Sequence, residues 1–206
     1  MLESEGVVRI GGVLSEKTCD SLRAAICLEL DRAVESGRDL APGRNQGFGN
    51  FGTGFGFGNA RMREQRWDMY LPGEGVYRGA LQEMLMGPEA KLGSLFRELL
   101  PKSSSGAKDD DDAMLFDWSC FTSDPGAPRQ PVHPDNRWQA VAPLFTAFVA
   151  LQDVRREMGP TVFLPRTHTE PAHAAFNDRG RVQGHKTGKD ALLASARYES
   201  ADLRRG

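Results

Sequence analysis

The chain has 206 residues, of which 39% are hydrophobic and 26% charged, a composition typical of a globular protein with a single domain. Its formal net charge of −2 provides no basic field for nucleic acid or for an anionic membrane surface. No apolar run reaches the roughly 18 residues of a membrane-spanning helix, and the acidic N-terminus lacks a secretory pattern. Three scattered cysteines indicate reduced thiols, so we expect an intracellular and probably cytoplasmic protein.

The first half of the chain is predicted to be mainly helical. The run GVVRIGGVL (6–14) favours a short strand, after which apolar residues recur at helical spacing between Ser15, a predicted N-cap, and Gly37, a predicted C-cap. The segment RWDMYL (66–71) alternates like a strand. Residues 75–100 follow as two helices separated by Gly87 and Pro88.

Two segments of this half have compositions that suggest ligand binding. Residues 46–59 interleave glycine with phenylalanine but lack the lysine and Ser/Thr of a phosphate-binding loop, which favours a mobile loop or a lid over a site. The four aspartates 109–112 suit a hard cation, but a flexible acidic run is more often a solvated surface.

The second half has a β-type texture from Met114 onwards. Short β-branched and aromatic runs are punctuated by proline and glycine without a helical period, which predicts an antiparallel sandwich or barrel. We therefore expect one α+β domain over residues 1–206, with a helix-rich part over 1–110 and a β core over 113–206.

The sequence RQPVHPDNRW (129–138) contains a candidate metal site. On an extended segment the side chains of His133 and Asp135 project from the same face and can reach one point. One imidazole and one carboxylate are two of the three ligands in a 2-His-1-carboxylate Fe(II) site. The His-x-Asp tripeptide alone is weak evidence for a metal site, because a loop histidine that is hydrogen-bonded to a carboxylate shows the same pattern.

The residues around this pair strengthen the metal interpretation. The blocks DPGAPRQPVHPDNRW, LFTAFVALQDV and GPTVFLPRTHT follow one another in an order that resembles the phytanoyl-CoA dioxygenase-like family of Fe(II)- and 2-oxoglutarate-dependent oxygenases. The resemblance is densest over 114–169 and looser over the opening strand and helix. It implies a double-stranded β-helix, the cupin-like jelly roll, with helices before it.

The resemblance also implies a set of site residues. His133 and Asp135 match the first two iron ligands of the family, and the 2-oxoglutarate contacts implied for this chain are Gln130, Thr161 and Arg66. Because Asp135 is retained, the resemblance implies a hydroxylase that uses molecular oxygen and not a halogenase. The resemblance does not identify the substrate, and the composition of the Gly/Phe segment suggests a small, hydrophobic organic molecule.

Two positions depart from the family pattern. The family's asparagine before GPT is Met158 here, and the glycine of its PGTH turn is Arg166. Because Arg166 carries a Cβ atom, we expect this turn to differ from the glycine-containing turn of the family.

The third protein ligand is the open point of this interpretation. In the family it is a histidine on a late strand beyond a Gly-Asp turn, and the tail SADLRRG resembles the approach to that turn. We therefore expect the sequence to end before that ligand, with the last strands of the β-helix lacking. His168 or His173 are candidate substitutes, ahead of His185, on a segment predicted to be a loop or lid. The alternative functions are a non-catalytic binding or regulatory family member and, less favoured, a metal-independent jelly roll.

Overall fold

The computed structural model describes residues 2–37, 55–57, 60–63, 65–100, 114–140, 144–178 and 187–206. It divides into two compact units. Unit 1 comprises Met1–Gly11 and Pro131–Arg204, and unit 2 comprises Gly12–Gln130 and Arg205–Gly206. The single domain over 1–206 stays a prediction.

The secondary structure mixes helices and short strands in both units. The helices are α1 (Leu2–Glu5), α2 (Glu16–Gly37), α3 (Gly75–Leu85), α4 (Lys91–Leu99), α5 (Glu170–Asn177) and α6 (Gly188–Ser195). The strands are β1 (Phe55–Phe57), β2 (Ala60–Arg63), β3 (Arg66–Tyr70), β4 (Ser119–Ser123), β5 (Val162–Phe163) and β6 (Glu199–Ser200). A 3-10 turn covers Arg156–Met158.

The helices of unit 2 match the sequence predictions closely. The backbone N–H of Thr18 donates to Ser15 Oγ at 3.3 Å, which confirms Ser15 at the start of α2. Helices α3 and α4 are separated around Gly87 and Pro88, as predicted. The backbone N–H of Ser15 and the hydroxyl of Thr18 both donate to the carboxylate of Glu83 on α3. Helix α3 therefore anchors the beginning of α2.

The sheet of unit 2 is antiparallel in the order β1-β2-β3-β4. Strand β3 confirms the prediction for RWDMYL and pairs with β4 from Arg66 opposite Ser123 to Tyr70 opposite Ser119. Met69 on β3 is only 1% exposed and joins the core with residues of α2 and α3. The core residues are Val13, Leu14, Cys19, Leu22, Ile26, Ala33, Met69, Tyr77, Ala80, Met84, Ala90 and Leu92, all of which belong to unit 2.

Unit 1 differs from the predicted β texture. Strands β5 and β6 form a two-stranded sheet, with one further bridge between Val154 and Leu203. The predicted loop after residue 169 is wrong where α5 lies, and the second half, predicted to be mainly β, contains α5 and α6 as well as short strands. Helix α6 has a signal that could have been read, because Thr187 and Asp190 form a capping box.

Three strand and loop predictions are also corrected. The run GVVRIGGVL forms no strand, and LFTAFVALQDV forms no regular strand, with an isolated bridge at Val154. An apolar run becomes a strand only when another strand satisfies its backbone hydrogen bonds, and periodicity does not report this partner. In the Gly/Phe segment, Phe55–Phe57 is strand β1, whereas residues 46–54 and 58–59 lie outside the described residues, as do the aspartates 109–112.

The predicted α+β class is confirmed at the level of a mixed helix-and-sheet protein. The described strands form one four-stranded and one two-stranded sheet, and the double-stranded β-helix stays a prediction. Across the ranges that the structure covers, no helix combines the length and the apolarity that crossing a membrane requires.

Candidate metal site

The orientation of the His133 ring is set by a backbone carbonyl two residues earlier. Its Nδ1 atom lies 2.8 Å from the carbonyl oxygen of Pro131. Because a carbonyl oxygen can only accept, Nδ1 is the donor in this hydrogen bond. The neutral ring therefore carries its lone pair on Nε2, and a hydrogen bond of this kind commonly orients a metal-binding histidine.

The Nε2 atom of His133 faces the carboxylate of Asp135. Nε2 and Asp135 Oδ1 are 3.8 Å apart, and the two side chains are 39% and 48% exposed. Two ligands at about 2.1 Å from one metal ion and at a right angle to each other lie about 3.0 Å apart. A side-chain adjustment of less than about 1 Å would thus bring both donors to one cation. The structure thus places the two side chains close together, with Asp135 in a bend and not on a strand, and their role as metal ligands stays a prediction.

Within the ranges that are described, no group of three or more His, Cys, Asp or Glu side chains could hold a metal ion. The Nε2 atom of His168 lies 3.0 Å from the carbonyl oxygen of Glu3. Its ring also packs on Gly6, where a Cβ atom would lie 2.2 Å from Nδ1. His173 lies on α5, and His185 falls outside the described residues. Substitution by His168 or His173 stays a prediction.

The turn at Arg166 corrects the expectation drawn from its Cβ atom. Arg166 has a φ of +67°, the left-handed conformation that glycine favours, so the side chain has not forced the backbone into another region. Its N–H donates to the carbonyl of Glu5 at 2.7 Å, and its guanidinium makes two bonds to the Glu5 carboxylate. The hydrogen bond from Arg166 lowers the pKa of Glu5 below its ordinary value. These contacts compensate for the unfavourable backbone conformation.

The three predicted cosubstrate contacts have different surroundings. Gln130 is half-buried at the end of unit 2. In unit 1 the side chain of Thr161 is exposed, and its carbonyl accepts from Ala201 N–H at 2.9 Å. Arg66 of unit 2 donates from Nη2 to the carbonyl of Pro128. Sequence spacing could not have revealed this last bond, because 62 residues separate the partners.

The three cysteines are free thiols, as predicted, and their environments differ. Cys19 is buried, Cys27 is exposed and Cys120 on β4 is intermediate. Burial raises the pKa of the Cys120 thiol to about 11, so that it remains protonated at neutral pH. A thiol in this state is a poor nucleophile.

An oriented imidazole beside a carboxylate defines a candidate metal-binding protein with oxygen and nitrogen ligands. A family model described as Phytanoyl-CoA dioxygenase (PhyH) matches residues 2–206, and the chain belongs to this family. The family is in general one of Fe(II)- and 2-oxoglutarate-dependent oxygenases with a cupin-like fold. Searches of curated proteins and of solved structures found no match to the chain.

Proposed function

We propose that this protein is an Fe(II)- and 2-oxoglutarate-dependent dioxygenase that hydroxylates a small, hydrophobic organic substrate. The observation that carries the proposal is the ring of His133, held by the Pro131 carbonyl with Nε2 facing Asp135 at 3.8 Å. This donor set fits two of the three protein ligands of a facial Fe(II) site. Family membership over residues 2–206 supports the same chemistry.

In this proposal the chain's own residues orient the bound groups. The imidazole of His133 donates its lone pair through Nε2, and Asp135 contributes a negative charge that partly neutralises a divalent cation. The amide of Gln130 and the hydroxyl of Thr161 are proposed to hydrogen-bond 2-oxoglutarate. With Fe(II) and 2-oxoglutarate bound, molecular oxygen would be the oxidant: one of its atoms would enter the substrate and convert C–H to C–OH, and the other would enter succinate as 2-oxoglutarate loses carbon dioxide.

The class of substrate is proposed from composition. Phenylalanines alternate with glycines through residues 46–59, a pattern suited to an apolar cover that excludes water from a reacting C–H bond. Removal of residues 46–54 is expected to weaken the binding of apolar substrates while leaving metal affinity unchanged. Unchanged substrate binding after this deletion would contradict the proposed role of the segment.

The first test is metal binding followed by succinate formation. We expect wild-type protein to bind Mn(II), a redox-stable substitute for Fe(II), and to convert 2-oxoglutarate to succinate when Fe(II) is supplied. His133→Ala and Asp135→Asn should each weaken Mn(II) binding by at least about tenfold, because each removes one ligand. Asp117→Asn is the matched control, since Asp117 is an exposed aspartate outside the pair. Equal Mn(II) affinity in all variants would refute the site.

A second candidate function is a non-catalytic binding or regulatory member of the family. It is favoured by the finding that the described residues group only two suitable donors, one fewer than the facial triad. This alternative predicts Mn(II) binding that depends on His133 without any succinate. If succinate does form, His168→Ala and His173→Ala then test whether either histidine supplies the third ligand.

A further inference from the structure

The loop between β4 and Gln130 is held by the turn that precedes β3. The N–H of Asp124 donates to the carbonyl of Gln65 at 2.9 Å, and the indole Nε1 of Trp67 donates to Asp124 Oδ2 at 2.9 Å. Arg66 donates from Nη2 to the carbonyl of Pro128. Three hydrogen bonds from consecutive residues 65–67 therefore fasten the loop at both of its ends.

The composition of this loop explains why it needs outside partners. This loop and the four residues after it (124–134, DPGAPRQPVHP) contain four prolines. Proline has no N–H group and cannot take part in a regular backbone ladder. Within its first turn, the N–H of Ala127 donates to the carbonyl of Asp124 at 3.1 Å. Beyond this turn the path of the chain depends on side-chain donors such as the guanidinium of Arg66.

We propose that Arg66 is a positioning residue that fixes the backbone at Pro128 and thereby sets where Gln130, two residues further along the chain in the same unit, is presented. This inference rests on the proposed function, and it replaces the predicted direct contact between Arg66 and 2-oxoglutarate. The side chain of Arg66 is half-buried and engaged with a neutral carbonyl. Trp67 supports the same loop at its other end through Asp124.

The two roles of Arg66 predict different results when no 2-oxoglutarate is present. A positioning residue affects the exchange of backbone amides in residues 124–130 even without the cosubstrate, whereas a direct contact affects only the binding of 2-oxoglutarate. The test measures hydrogen–deuterium exchange over residues 124–130 without 2-oxoglutarate, and 2-oxoglutarate affinity with Mn(II). The variants are Arg66→Gln, Arg66→Lys and Trp67→Phe. Arg97→Gln is the matched control, because Arg97 donates to Ser94 of its own helix, α4.

We expect Arg66→Gln to speed exchange over residues 124–130 without 2-oxoglutarate and to weaken 2-oxoglutarate binding, because Gln130 is then held less firmly. Arg66→Lys should restore part of both effects, because lysine keeps one donor for the Pro128 carbonyl. Trp67→Phe should speed exchange at Asp124–Ala127. If Arg66→Gln does not fold, Arg66→Lys and Trp67→Phe decide the question on the same readouts.

Two other outcomes separate the inference from the proposed function. Unchanged exchange over residues 124–130 together with weaker 2-oxoglutarate binding in Arg66→Gln would overturn positioning and restore the direct contact. If His133→Ala binds Mn(II) as wild type does, the proposed function fails. In that case faster exchange in Arg66→Gln still supports the anchoring of the loop, and unchanged exchange overturns it.

Discussion

At the scale of single residues, backbone carbonyls orient side chains that the sequence singled out. The carbonyl of Pro131 orients His133, that of Glu3 engages His168, and that of Pro128 engages Arg66. A carbonyl fixes which ring nitrogen of a histidine carries the proton. These hydrogen bonds distinguish the two histidines by the partner of Nε2. In His133 this atom faces a carboxylate, whereas in His168 it is already engaged by a carbonyl.

Arg166 shows how one residue can keep a conformation that its type disfavours. Left-handed backbone is unfavourable for a residue with a Cβ atom, and such residues persist where the surroundings hold them. Here both the N–H and the guanidinium of Arg166 donate to Glu5. The ring of His168 packs on Gly6, the residue that follows Glu5. Residues 3–6 thus stabilise a turn that glycine would adopt unaided.

Glu83 provides a pH-dependent prediction at this scale. Burial disfavours its charge, but hydrogen bonds from Thr18 and Ser15 together outweigh burial and hold its pKa below the ordinary value of 4.5. A lowered folded-state pKa contributes stability above pH 4.5 that is lost as the pH falls through the folded-state pKa. We therefore expect Glu83→Gln to lower the unfolding free energy at pH 7 and to flatten its decline on acidification.

Urea unfolding at pH 7 and at pH 3.5 measures both effects. The control is Glu89→Gln, because Glu89 is exposed and lies in the connection between α3 and α4. A wild-type and a Glu83→Gln curve that decline in parallel over this range would contradict the linkage.

At the scale of elements, the packing of α3 against α4 depends on a glycine. A Cβ atom at Gly93 of α4 would lie 1.9 Å from the carbonyl oxygen of Leu85, whereas a Cβ atom at Gly79 of α3 would meet nothing within 4 Å. Gly93→Ala must therefore separate the two helices, with an expected loss of roughly 1–3 kcal/mol. Gly79→Ala should gain up to about 1 kcal/mol, because alanine favours the helix interior.

Urea unfolding of the two variants compares the same substitution on adjacent helices. Opposite signs of the stability change are expected, and two changes of the same sign would show that helix propensity, and not close packing, governs this pair.

At the scale of the whole molecule, the buried core is unevenly distributed. All buried hydrophobic residues within the described ranges belong to unit 2, and Pro165 is the one buried residue among those described in unit 1. Segments with few buried apolar contacts open at a lower free energy. We expect amides of α5 and α6 to exchange at least about tenfold faster than those of α2 and α3.

Hydrogen–deuterium exchange of the full chain, followed by mass spectrometry, tests this asymmetry. Peptides from α2 and α4 serve as internal references for solution conditions. Equal protection of α2 and α5 would show that the two units unfold together.

Local patterns were sufficient for several elements. The helix beginning after Ser15, the break at Gly87 and Pro88 and the strand from Arg66 are all set by nearby residues, through capping, proline geometry and alternation. The i and i+2 spacing of His133 and Asp135 led to the expectation of neighbouring side chains, and their Nε2 and Oδ1 atoms are 3.8 Å apart, although these residues form no strand. The capping box at Thr187 and Asp190 is an equally local signal, and it marks the beginning of α6.

The sequence by itself determined the family, the main helices of unit 2 and the pair His133 and Asp135, because each depends on motifs whose residues lie close together in the chain. Only the tertiary structure decided that Arg66 bonds to the Pro128 carbonyl, that Arg166 is held by Glu5 and that LFTAFVALQDV lacks a regular strand partner over its described residues. Each of these depends on groups separated by many residues, and local periodicity carries no information about which distant donor or strand satisfies a backbone group.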